Sequence, residues 1–150
     1  MPPMIFKLPL SILLMTLITA TAANAQSLKS LPACPNSPNC VSSQANINDA
    51  EHFIAPFKLT VPAEQAWVAL QNALLQQSRT VITTKTDVTL HAEVTSLIFR
   101  FVDDVEAILD EEAKLIHIRS ASKTGHSDFG VNRKRVEVLR QALQQARVIE

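Results

Sequence analysis

Along the chain the spacing of apolar positions changes repeatedly, and each change marks an element. Phe57-Lys-Leu-Thr-Val61 alternates apolar with polar residues, the period-two signature of a short strand. Pro62 follows, suited to the first turn of a helix, where its missing N–H leaves no bond unmade. Ala66, Trp67, Leu70, Ala73 and Leu74 then recur at three and four residues. That spacing predicts an amphipathic helix over 62–78 that buries Trp67. Thr80-Val-Ile-Thr-Thr84 is β-branched and predicts a strand, and Leu90, Ala92 and Val94 alternate with His91, Glu93 and Thr95 in the next. Ile98–Leu109 reads as a longer strand, with Phe99, Phe101, Val105, Ala107 and Leu109 on one parity. Asp103 interrupts that parity, and the doubled Asp103-Asp104 predicts a bulge or turn in mid-run. Glu111-Glu112 marks a turn and Leu115–Ser120 a further strand. Val136, Leu139, Leu143 and Ala146 share one face of a closing helix over 131–148.

Consecutive strands joined by short turns form an antiparallel meander, and two amphipathic helices can cover one face of it. The expectation is therefore a single α+β two-layer domain over residues 53–150. Residues 26–52 are polar, proline-bearing and aperiodic, and read as an N-terminal arm.

The first 25 residues have a different character. One cation, Lys7, precedes the apolar run Leu8–Ile18, and small residues end in Ala23-Asn24-Ala25. This is the layout of a signal peptide with an A-x-A cleavage site. The run is shorter than the roughly 18–20 residues a spanning helix needs. A retained N-terminal anchor is the alternative. A lipid-modified Cys34 would lie too far from the apolar run. The expectation is an exported protein, in a periplasm of Gram-negative type, with no transmembrane span after cleavage.

Of 150 residues, removing 25 leaves 125, enough for one compact domain with its own core. Of the 14 Lys+Arg only Lys7 lies in the leader, so cleavage leaves 13 against 14 Asp+Glu, a net charge of −1. Near-neutral charge and export exclude a general polyanion binder and make nucleic acid an unexpected partner. Both cysteines fall in Cys34-Pro-Asn-Ser-Pro-Asn-Cys40. In an oxidising compartment such a pair most simply forms a disulfide, and the two prolines help close the loop. A metal site would need two further ligands, and a redox pair usually has the tighter C-x-x-C spacing.

Both glycines, Gly125 and Gly130, fall in the polar stretch Arg119-Ser-Ala-Ser-Lys-Thr-Gly-His-Ser-Asp-Phe-Gly-Val-Asn-Arg-Lys-Arg135. Glycine serves where φ is positive or another group approaches closely, so this loop is the leading site candidate. The helix after it opens on Arg133, Lys134 and Arg135, although a helix N-terminus favours negative charge. Three readings follow. In the first, the motif is structural: Asp103, Asp104, Glu106 and Asp128 pair with Arg119, Arg133 and Arg135, with Arg119 and Asp103 as strand-borne partners, and Asp128 caps the helix or folds the turn. In the second, a small anion sits at the helix end, contacted by Arg119, Lys123 and Arg133 with Asn132 donating. Asp103, Asp104 and Asp128 then orient the cations. In the third, His126 and Asp128 act as base and orienter of a hydrolase-like enzyme, with Ser120, Ser122 or Ser127 as nucleophile. No P-loop, G-x-G-x-x-G, nucleophile elbow or zinc-binding helix is present, so no cofactor or metal is expected. His52, His91 and His117 are scattered and polar-facing.

Three segments together, Cys34–Ser43, Phe101-Val-Asp-Asp-Val-Glu106 and Arg119–Arg135, resemble the domain-of-unknown-function family numbered 1499, found in bacterial envelopes and plastid-bearing organisms. The resemblance spans about residues 34–146. It implies one exported domain with a motif-rich loop and carries no established activity, so no catalytic residue transfers. The family motif commonly has arginine where this chain has Lys123, and tyrosine where it has His126. A phenol in place of His126 weighs against a histidine-specific acid–base mechanism, and Lys for Arg keeps charge but loses bidentate geometry. The expected function is a non-catalytic envelope role, binding a small anionic ligand or an envelope protein partner through the 119–135 loop.

Overall fold

The computed structural model describes residues 30–150; the expected signal peptide, 1–25, lies outside the described residues. Eight elements follow in chain order: β1 (Cys40–Ser42), β2 (Phe57–Lys58), α1 (Ala63–Gln76), β3 (Thr80–Lys85), β4 (Thr89–Thr95), β5 (Val102–Asp110), β6 (Leu115–Ser122) and α2 (Val131–Gln145). Six strands and two helices make an α+β fold, and every strand pair in the sheet is antiparallel.

The sheet runs β1-β6-β5-β4-β3, with β2 also on β6. Two short segments of the N-terminal region thus share the far edge of β6: Cys40 lies opposite Ala121, and Phe57 opposite Ile116. Strand alternation sends Val105, Ala107 and Leu109 to one face together with Ile116 and Ile118 of β6. They join a single core with Trp67, Leu70 and Leu74 of α1 and Val136, Leu139 and Leu143 of α2. Each of the Val, Leu and Ile side chains among these, fully buried, contributes about 1.5–3 kcal/mol, and that burial fixes both helices to the sheet. Arg140 of α2 adds a clasp: its guanidinium sits 4.8 Å from the centre of the Phe57 ring and donates to the carbonyls of Ala55 and Pro56.

Three local expectations need correction. The strand after Phe57 is only two residues long, continued by a bridge from Leu59 to Ile149. The long strand starts at Val102, because residues 97–101 form the tip of the β4–β5 hairpin. Arg100 takes φ +54° there, and Ser96 closes the loop by exchanging bonds with Phe101. Phe99 and Phe101 are accordingly exposed. No bulge occurs at Asp103-Asp104, where the register runs unbroken from Asp103↔Ser122 to Asp110↔Leu115. The irregularity lies in β3, between Ile82 and Thr84. Asp103 keeps a core-facing position because a cation from α2 meets it.

Candidate functional site

Asp103 and Ser120 face the first turns of α2. Asp103 accepts a 2.6 Å bond from Arg135, and each side chain is 9% exposed. The same guanidinium donates to Ser120 Oγ at 3.0 Å and to Asn132 Oδ1 at 2.6 Å. Asn132 is fully buried, and its amide nitrogen lies within 3.2 Å of the Asn39 carbonyl, Ser122 Oγ and Asp128 Oδ2. Asn39 in turn donates to the Gly125 carbonyl at 2.7 Å. The network therefore ties β5, β6, the loop, α2 and the cysteine loop at one point.

Gly130 caps α2 with φ +78°, a left-handed conformation that glycine adopts without penalty. Two residues earlier, Asp128 accepts from the backbone N–H groups of Gly130 and Asn132 at 2.8 and 2.9 Å. Helix N-termini attract negative charge through such free N–H groups. Here the chain's own carboxylate stands where an external anion would.

The expected cations separate. Arg119 points to the opposite sheet face and pairs with Glu106 at 2.6 Å, directly across the β5–β6 ladder. Its Nε is buried with no hydrogen-bond partner among the described residues. Lys123 is on that outer face too, paired with Glu93 and 3.5 Å from Asp104. The Glu93 carboxylate to which it donates, helped by Asp104, raises its pKa. Asp104 also meets His91 Nε2 at 2.7 Å. Arg133 does neither: it donates to the carbonyls of Ala50 and Glu51 in the arm. Asn132 and Arg119 thus lie on opposite sides of the sheet. His126 is exposed, and no His126–Asp128 bond forms.

One member of the site escaped sequence reasoning. His52 is only 7% exposed, with Nδ1 2.7 Å from Asp49 and Nε2 3.1 Å from the Ser37 carbonyl. Two acceptors at the two ring nitrogens call for two N–H groups, the protonated imidazolium. The Asp49 carboxylate raises the His52 pKa, against the opposing effect of burial. His52 and Cys34 line a cleft of about 400 Å³ between the arm and the cysteine loop. Cys34 and Cys40 form a disulfide. A solvated histidine and a buried one look alike in sequence; only the acidic Asp49, three residues back, hinted at the pair.

The segments that converge here, the cysteine loop, the start of β5 and the 119–135 loop, are the three that resembled one family. The model of that family, described as protein of unknown function (DUF1499), matches residues 30–143. The chain belongs to the DUF1499 family. Comparison with curated proteins and with solved structures gave no match. No group of three His, Cys, Asp or Glu among the described residues of this DUF1499 domain could hold a metal ion. No helix among them is long and apolar enough to cross a membrane.

Proposed function

We propose that this DUF1499 domain is exported to the cell envelope and serves there in a non-catalytic, accessory or ligand-binding role. In this reading both helices cover one face of a two-layer β-meander, and the 119–135 loop locks their junction. The observation that carries it is the internal use of the loop's polar groups. Arg119, Lys123 and Arg135 have carboxylate partners, Arg133 holds the arm, and Asp128 spends both oxygens on α2. Such ion-pair networks resemble catalytic clusters without doing chemistry. The leader pattern and the disulfide support export.

A second reading, a small anion bound on the outer face, is favoured by the unpartnered Nε of Arg119. Thermal denaturation with and without inorganic phosphate separates the two. If the loop is a lock alone, Arg133→Ala lowers the midpoint and phosphate changes neither protein. If an anion binds, phosphate at a hundred times its dissociation constant adds about 2.7 kcal/mol, and Arg119→Ala removes that gain. A turnover of an ester or amide substrate lost in Asp128→Asn would overturn the non-catalytic role.

A further inference from the structure

The hairpin tip beside the loop is built unlike the rest of the surface. Leu97, Ile98, Phe99 and Phe101 are 70%, 78%, 73% and 54% exposed, and the two phenylalanine rings stack with centroids 5.6 Å apart. The Lys123 amide donates to the Val102 carbonyl, which sets the 119–135 loop against this hairpin. That loop carries Phe129, 97% exposed with φ +54°. Apolar side chains scattered singly on a surface need no explanation, but a contiguous cluster marks a contact. A projecting tip offers no groove for a peptide or helix to enter.

Charge separates along the strands in the same sense. At this end Arg79, Arg100 and Lys134 are exposed and in no ion pair among the described residues. The acids nearby are engaged: Asp103 with Arg135, Glu93 and Asp104 with Lys123, Asp128 with α2. At the other end, the β3–β4 and β5–β6 turns present Asp87, Asp110, Glu111 and Glu112 against Lys85 and Lys114. A molecule of near-neutral net charge thus has an apolar, cationic tip and an acidic tail.

We propose that the β4–β5 tip, with Phe129, docks this protein on an anionic lipid surface. Phe99, Phe101 and their neighbours enter the headgroup–acyl boundary, about 5–10 Å deep for interfacial elements. Arg79 and Arg100 meet lipid phosphates, and the acidic turns face away. The proposal does not depend on whether the 119–135 loop also binds a small anion.

The test uses the protein without its expected leader, residues 26–150, with one tryptophan added at a time. With vesicles of phosphatidylethanolamine and phosphatidylglycerol, the added emission of Phe99→Trp moves to the blue and is quenched by lipid brominated on its acyl chains. Buried Trp67 supplies a constant background, measured in the unaltered protein. Glu112→Trp, roughly 30 Å away along β5 at about 3.3 Å per residue, stays unquenched. Arg100→Ala weakens vesicle binding about fivefold, the factor one cation contributes near an anionic surface, and phosphatidylcholine vesicles bind less. Equal quenching at both positions would assign binding to another part of the chain and overturn the proposal. So would a Phe99→Trp spectrum indifferent to vesicles, or a dimer in solution that Phe99→Ser disperses, which would make the tip a contact between copies.

Discussion

Below the sheet, Asp103 meets Arg135 with both side chains 9% exposed; above it, the next residue meets His91 and Lys123 across side chains 23%, 30% and 40% exposed. The two aspartates share a strand and a formal charge. Alternation of the strand puts them in different dielectric surroundings. In the interior, attraction is little screened, but each charge has also given up its water, so neither partner can be left alone. Around Asp104 water and salt compete, and such an exposed ion pair adds at most about 1 kcal/mol. The Asp103–Arg135 pair therefore specifies which elements meet, whereas the exposed contacts of Asp104 keep a polar surface in order.

The largest contrast is expected from Asp103→Ala. Stranding the buried Arg135 guanidinium should lower unfolding free energy by about 3–5 kcal/mol, read by denaturant titration. Replacing both partners together, Asp103→Leu with Arg135→Met, should recover most of that loss. Recovery would show that the pair chooses a partner more than it adds stability; no recovery would mean that Ser120 and Asn132 also need the guanidinium.

His52 lies between the two cases, buried itself but paired with an Asp49 side chain 40% exposed. Its pKa is raised in the fold, so its contribution is fully present below its unfolded pKa and fades as pH rises through the higher folded value. Asp49 is lowered chiefly by the same bond and contributes above its unfolded value, losing that as acid protonates it. The thermal midpoint should therefore fall on the alkaline side of the His52 pKa, and His52→Gln should flatten that slope. A slope unchanged in His52→Gln would place the titrating group elsewhere. The smallest effect belongs to Asp104→Ala, within about 1 kcal/mol and smaller still in high salt. A loss as large as that of Asp103→Ala would dissolve the distinction between the two faces.

Much of this frame was legible because its signals are local. The alternation in Leu90–Val94 and Leu115–Ser120 reappears in β4 and β6, and both helices fall within the ranges their spacing marks. Asp103 could not be placed locally: an acid on a core parity reads as a break until Arg135, on another element, is known. Residues 97–101 failed for a different reason. Exposed apolar side chains at a hairpin tip carry the same letters as buried ones in a strand, and Arg100 in their midst was the only discordant sign. β1 gave no signal, since three residues cannot show a period. The 119–135 motif was recognisable as special from its glycines, while the split of its cations between two faces follows from strand alternation and remote partners.

The place of β6 also bears on how the chain is made. Its far edge is completed by β1 and β2, which are synthesised long before it, so Cys40 must wait for Ala121 and Phe57 for Ile116. Pairings so distant in sequence close large loops and slow a folding reaction. Until they form, β6 is an open strand edge, and such edges invite pairing with other chains. The Cys34–Cys40 bond can form at any moment after its short segment emerges, because its partners are close in sequence. Oxidation would then hand the late-arriving edge a β1 already held in a compact turn, shortening the time during which that edge stands uncovered.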